Sequence, residues 1–256
     1  MMSKPAARTH TEALILRRPE GNLKAAICFS QLPVSLPLDG LEAVLHPRED
    51  EYYSTLKYET RKRSYLIGRY AAKQAVAALV QEKDLQKILI EQGIFSQPVV
   101  RCGDEHNIQV SITHCEEIGA AIAFPEAHPM GIDLQEIDAN RREVIESQAT
   151  EDEKKIVMML SRSYDTLLTL LWTAKEALSK VLKTGMMSPF TIFEMSTVEI
   201  QDDFFVGYFQ NFAQYKTLSF EIDHHVCSIV YPKKTEIEID LRAFKAKVHS
   251  DLPYRK

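Results

Sequence analysis

The sequence predicts an α+β protein made of two similar lobes that meet near residue 128. Three observations predict it. The 256 residues suit one large domain or two small ones, at about 100 to 200 residues per domain. Short segments with a period of two alternate with long segments of helical period. Each half runs in the same order, strand, helix, strands, although no clear residue-level repeat links the halves.

Residues 1–50 read as short strands and loops punctuated by Pro33, Pro37 and Pro47. From about Glu51 to Val80 the pattern is helical. Leu66, Tyr70, Ala77 and Val80 recur near helical spacing, with Arg61, Lys62, Arg63 and Arg69 interleaved. After a 93–98 loop, Ile108, Val110 and Ile112 alternate with Gln109, Ser111 and Thr113, the pattern of a half-buried strand. Gly119 to Phe124 is almost wholly apolar and suits a central strand. His128-Pro129 marks a break. Alternation then resumes with Met130, Ile132 and Leu134, which puts Asp133 and Gln135 together on the side away from the apolar face. Residues from about 141 to 184 read as helix, opened by Thr150 and Glu153 at capping-box spacing and closed by Gly185. Stretches 190–200, 204–209, 218–222 and 226–231 read as strands.

Composition excludes several functions. The nearest pair among the nine glycines, Gly93 and Gly103, is ten positions apart, so no dinucleotide fingerprint, Walker-type loop or hydrolase elbow can exist. Phosphate must be held by side chains, helix ends or a metal. A formal net charge of −5 argues against broad nucleic-acid or anionic-membrane contact. Nor are aromatic residues spread along a basic groove, as a nucleic-acid contact by the 61–69 segment would require. The four cysteines are scattered without CxxC spacing and read as reduced. His224, His225 and Cys227 lie on an apparent turn and strand whose alternating side chains cannot converge on zinc. No apolar stretch is long enough for a membrane span, and no signal-like segment opens the chain. A cytoplasmic protein is expected.

On a wheel of about 100° per residue, Leu167, Leu171, Ala174, Leu178, Val181 and Leu182 fall in one sector. Glu176 lies roughly opposite, flanked by Trp172 and Lys180. Alone, Glu176 and Lys180 would be an ordinary i, i+4 surface pair, and Asp133 an ordinary solvent-facing strand residue.

The words in which these residues stand change that reading. Gly131-Ile132-Asp133 is followed, 43 positions after the aspartate, by Glu176 within Trp172-Thr173-Ala174-Lys175-Glu176-Ala177-Leu178-Ser179-Lys180. Upstream stand Tyr65-Leu66-Ile67-Gly68-Arg69 and Ser111-Ile112-Thr113-His114. Together, over about residues 58–190, they resemble the 4′-phosphopantetheinyl transferases, specifically the longer, monomeric type that activates peptide and polyketide synthetases. The resemblance implies a pseudo-twofold pair of α+β lobes with the active site between them. The N-terminal lobe, 1–128, would contact the coenzyme A phosphates, and the C-terminal lobe, 129–256, would carry the metal and the catalytic residues. The implied reaction moves the phosphopantetheine arm of coenzyme A to a serine of an acyl or peptidyl carrier protein and releases adenosine 3′,5′-bisphosphate. The cofactor would be magnesium, with manganese the other candidate.

By the same resemblance Asp133 and Glu176 would hold the metal, with Gln135 reaching it directly or through water, and Lys180 would contact the pyrophosphate. Glu176 or Glu153 would take the serine proton, although capping explains Glu153 equally well. Thr113, His114, Arg61, Arg63 and Arg69 would meet coenzyme A, for which guanidinium forks suit phosphate. Two departures reduce charge near the ligand. Gln135 stands where many relatives carry a second acid, and Gln97-Pro98 where many carry Lys-Pro. They motivate an alternative, a weak or inactive relative that binds coenzyme A or a carrier domain.

Overall fold

The computed structural model describes residues 7–103 and 107–253. Strands β1 (Arg8–Arg17) and β2 (Leu23–Gln31) lead into helices α1 (Pro47–Thr55) and α2 (Glu59–Val80). A small hairpin, β3 (Ile88–Gln92) and β4 (Pro98–Cys102), precedes β5 (Ile108–Cys115) and β6 (Ile118–Pro125). The second half repeats the order: β7 (Gly131–Glu136), the short α3 (Arg142–Glu146), α4 (Glu151–Met159), α5 (Tyr164–Leu182), then β8 (Met195–Ile200), β9 (Phe205–Phe209), β10 (Tyr215–Ile222) and β11 (His225–Pro232). Strand β12 (Glu236–Glu238) and helix α6 (Leu241–Asp251) follow.

The two antiparallel sheets run β12-β1-β2-β6-β5 and β7-β11-β10-β9-β8. Within them β2-β6-β5 matches β7-β11-β10, and the helix pair α1/α2 matches α4/α5. This is the α+β, pseudo-twofold architecture expected from the sequence. The last elements cross over, since β12 pairs with β1 through Leu16↔Ile237 and α6 packs beside it.

Alternation sets the layers. One face of the first sheet buries Cys28, Val110 and Ala121 against Ala71, Ala72 and Ala75 of α2. In the second sheet Val226 and Val230 meet Leu167, Leu171, Ala174 and Leu178 of α5, the predicted stripe. The opposite faces of both sheets share one core, where Phe29 and Phe220 meet Phe244 of α6 edge-on at 5.7 and 6.0 Å. Two glycines let the long helices approach. A Cβ on Gly131 would sit 2.1 Å from the Ala177 carbonyl oxygen, and one on Gly119 would sit 2.8 Å from that of Ile67.

Several boundaries differ from the sequence reading. The 51–80 stretch is two helices, because Leu56 and Tyr58 adopt extended backbone between them. The 141–184 stretch is three, interrupted before the Thr150 cap and again between Leu160 and Ser163. Helix α5 ends with Lys183 in the left-handed region at φ 57°, and Gly185 opens a 3-10 turn two residues later. The predicted strand 190–200 begins as a 3-10 turn, because Phe190 and Phe193 turn inward; Phe190 stacks on Trp172 at 4.8 Å. No described helix is long and apolar enough to cross a membrane.

Candidate active site

The edges of the two sheets meet where β5 runs beside β7. Side chains rather than a strand ladder link the two edges here. Ser111 Oγ accepts from the Ile132 amide at 3.1 Å, and Thr113 Oγ1 accepts from the Leu134 amide at 3.2 Å. Thr113 in turn donates to Asp133 Oδ1 at 2.9 Å, which fixes that carboxylate. Asp133 is 8% exposed, not solvent-facing, because α5 lies across its side of β7.

Lys180 reaches from α5 into this seam. Its Nζ donates to Asp133 Oδ1 at 2.7 Å, to the Ile132 carbonyl at 2.9 Å and to the Ile112 carbonyl at 3.1 Å. One ammonium thus sits in a cage of three oxygens from both lobes. Glu176, one turn earlier on α5, is half-buried, and among the described residues no hydrogen bond or ion pair reaches its carboxylate. Burial first, and the neighbouring Asp133 charge second, push the Glu176 carboxyl above the ordinary range, while Lys180 opposes the shift. Two carboxylates from different elements thus flank one cation, Asp133 paired with it and Glu176 coupled to it through charge alone. That donor set is hard and anionic, as magnesium requires, and half of it is unpaired, so these residues fit a divalent ion. No group of three or more His, Cys, Asp or Glu gathers among the described residues, so phosphate oxygens and water must complete any such sphere.

The other sequence-predicted residues divide. Gln135 is half-buried on the same strand, with its Nε2 donating to Cys115 Sγ at 3.7 Å. His114 is open to solvent at the end of β5. Desolvation of its ring is the first cause that lowers its pKa, the Lys180 and Arg61 cations lower it further, and Asp133 opposes them. Arg61 is exposed and acts on His114 through its charge.

Arg63 is not brought to this seam. About 200° around α2 from Arg61, it pairs with Glu59 and donates to the carbonyls of Pro33 and Leu36 at 3.0 and 2.8 Å, tethering that loop. Glu153 is fully buried in structural work. It closes the capping box with Thr150, accepts from the Met195 amide at 2.9 Å and pairs with the buried Lys175. Burial lowers the Lys175 pKa and Glu153 opposes this. The capping account of Glu153 is the one the geometry realises.

Two adjoining chambers open from the seam. One, of about 280 Å³, lies beside Lys180 and is lined by Phe95, Pro98, Ile112, Met130 and Val181. The other, of about 570 Å³, shares Ser96, Pro98 and Ile112 with it and is lined by Arg48, Tyr52, Tyr65 and Arg69. Arg69 stacks over the Tyr65 ring at 4.5 Å. Gln97 folds back beneath Gly93, and its Oε1 accepts from the Phe95 amide at 2.9 Å, which shapes the loop between the chambers. Sequence reading passed over Arg48, Glu49 and Tyr52. The available signal was the spacing of His46-Pro47 and Glu49, a second capping box with an unusual histidine cap.

Comparison with known proteins bears on this geometry. The model of the 4'-phosphopantetheinyl transferase superfamily matches residues 129–230. No curated protein matches the chain. Among solved structures, the chain is similar to a holo-(acyl-carrier-protein) synthase from Bacillus anthracis in complex with CoA (3',5'-ADP). It is 26% identical over 33% of this chain and 77% of that one, with a TM-score of 0.31. The holo-ACP-synthase of Plasmodium yoelii is 20% identical over 34% of this chain and 77% of that one, with a TM-score of 0.29. The Thermotoga maritima holo-[acyl-carrier-protein] synthase is 16% identical over 49% and 67%, with a TM-score of 0.30. The family match covers β7 and α5 entire, with Asp133, Glu176 and Lys180 on them, so over residues 129–230 this chain is similar to the 4'-phosphopantetheinyl transferase superfamily.

Proposed function

We propose that this chain transfers the 4′-phosphopantetheine arm of coenzyme A to a serine hydroxyl of an acyl or peptidyl carrier protein, with adenosine 3′,5′-bisphosphate leaving. The carrying observation is the half-buried, unpaired Glu176 carboxyl set beside Asp133 and Lys180 at the seam of the lobes. In this reading the serine oxygen attacks the phosphorus attached to the pantetheine arm, and the bond to the bridging pyrophosphate oxygen breaks. Asp133 and Glu176 would hold a magnesium ion, which supplies charge neutralisation for the pyrophosphate. Lys180 turns from Asp133 to the pyrophosphate and offsets the charge that grows on the leaving oxygen. Glu176 would be the group placed to take the serine proton. Thr113 keeps Asp133 in one orientation while Lys180 moves. His114, Arg61 and Arg69 line the N-terminal side, residues 1–128, and would meet the phosphates at the nucleotide end.

The test incubates the protein with a panel of apo-carriers, coenzyme A and magnesium and reads intact carrier mass. A gain of one phosphopantetheine, lost in Glu176→Gln, supports the reading. Gln135, turned to Cys115, favours the second reading of a relative that binds without transferring. Coenzyme A binding by calorimetry with no mass gain on any carrier would establish that instead.

A further inference from the structure

The N-terminal lobe contains a buried charge cluster that the proposed mechanism does not use. Glu49 stands at the third position of α1 and is 2% exposed. Its Oε2 accepts from the His46 amide at 2.9 Å and pairs with Lys73, which is wholly buried on α2. Its Oε1 accepts from the Ile90 amide at 3.1 Å and faces Arg69 Nε at 3.2 Å. Lys73 also donates to the carbonyls of Leu85 and Ile88 at 3.0 and 2.6 Å. One carboxylate thus ties α1, α2 and β3 together. It holds by its remaining edge the guanidinium that lines the larger chamber.

Glu153 is built the same way in the other lobe, on a capping box, a buried lysine and a strand amide. Among the described residues no further cation pairs with it. The extra partner in the N-terminal lobe is Arg69, whose side chain keeps 17% of its surface, stacks on Tyr65 and donates to the Ile90 carbonyl at 3.3 Å. A guanidinium ion-paired on one edge with a carboxylate, stacked on one face against a ring and bonded at one nitrogen to a carbonyl has few rotamers left. Its ordering is achieved before a ligand arrives.

We propose that Glu49 is a positioning residue: it holds Arg69 so that the larger chamber discriminates ligands carrying a phosphate monoester on the ribose from ligands lacking it. This rests on the transferase reading, in which the nucleotide end of coenzyme A enters from the N-terminal side. Glu49 stands at the chamber wall but is only 2% exposed. It acts through Arg69.

The experiment measures binding of adenosine 3′,5′-bisphosphate and of adenosine 5′-phosphate to the full chain by calorimetry, and takes the ratio of the two affinities. Two carriers of the change are compared with the unaltered protein: Glu49→Gln alone, and Glu49→Gln with Lys73→Met. The double variant removes both charges of the buried pair and so avoids stranding a lysine. The expected result is a ratio roughly tenfold lower in each folded variant, the scale of one charge-assisted hydrogen bond. Arg69→Gln should lower it as far, and adding Glu49→Gln to Arg69→Gln should lower it no further. In transfer assays KM for coenzyme A should rise with kcat little changed. A lowered melting temperature with an unchanged ratio would make Glu49 structural only and overturn the proposal. Failure of the unaltered protein to bind adenosine 3′,5′-bisphosphate at all would instead overturn the transferase reading. Should Glu49→Gln alone not fold, the double variant decides.

Discussion

The two lobes share a plan but not a chemistry. Each sets a short capped helix before a long one, buries a Glu–Lys pair between them, and brings the long helix onto a strand through a glycine. Aligned on those buried lysines, the residue after Lys73 is Gln74 and the residue after Lys175 is Glu176. Only the second lobe therefore presents a carboxylate beside the lysine, and only there does the facing strand carry an aspartate. The first lobe instead sets two arginines at a chamber wall, Arg48 paired with Glu91 and Arg69 paired with Glu49. In the transferase reading, similar scaffolds would divide the labour that a pyrophosphate ligand demands, with acids to hold a metal on one side and guanidinium forks to meet phosphate on the other.

The comparison is broken most sharply at Glu176. Replacing it with glutamine should lower the transfer rate roughly 10³-fold, the scale of removing one preorganised electrostatic contact, as read by carrier mass against time. Gln74→Ala, at the matching position, should leave the rate unchanged. Stability should move the other way. The carboxyl pKa of Glu176 is raised in the folded state, so the folded protein binds a proton that the unfolded chain releases. Stability is then lost as pH rises from the ordinary carboxylate range through the raised folded pKa, and stays reduced above it. Metal-free Glu176→Gln should therefore melt higher than the unaltered protein at neutral pH and no higher at pH 4. An equal melting temperature at neutral pH would mean that the burial is not felt.

Next in size are the buried pairs. Lys175→Met strands Glu153, and Lys73→Met strands Glu49. Each should cost about 3–5 kcal/mol in denaturant unfolding. Because both carboxylates retain two backbone amides, the losses should be alike, and Glu153→Gln combined with Lys175→Met should recover most of the second. Unequal losses beyond about 2 kcal/mol would show that Arg69 compensates in the first lobe.

How much of this was legible in the sequence follows from what each residue depends on. The α5 stripe and the Thr150–Glu153 box are local, and periodicity and spacing announced them. Asp133 and Glu176 were legible as words, but their burial was not, since it depends on α5 lying across β7. Arg63 and Arg69 were alike as letters on a basic helix. Their fates diverged because helix phase sends one to the 33–36 loop and the other to a carboxylate on α1. Glu49 was invisible, because its significance comes from Lys73 and Ile90, far along the chain. Nothing in residues 236–252 announced their return to the first sheet, since strand partners are not written in a strand's own alternation.

The glycines test whether both long helices are seated equally closely. Gly131→Ala drives a methyl into the Ala177 carbonyl at 2.1 Å, whereas Gly119→Ala meets that of Ile67 at 2.8 Å with the movable Ser30 hydroxyl at 3.0 Å. The first should cost about 3 kcal/mol and the second about 1–2 kcal/mol. Only Gly131→Ala should also slow transfer, because α5 carries Glu176 and Lys180 away from Asp133.

The smallest difference lies in the caps. Thr150 Oγ1 accepts from the Glu153 amide at 3.2 Å and donates to Glu194 Oε1 at 2.6 Å, so Thr150→Ala loses two bonds and should cost about 1 kcal/mol in denaturant unfolding. His46 caps α1 with one bond, from the Arg48 amide to Nδ1 at 3.2 Å. The reciprocal half of its box, from the His46 amide to Glu49, belongs to the backbone and survives substitution. His46→Ala should therefore cost about half as much, within the lower range for lost caps. A larger loss at His46 would mean that the ring itself, rather than the backbone amide, seats Glu49, and that the two lobes are keyed by different halves of the same box.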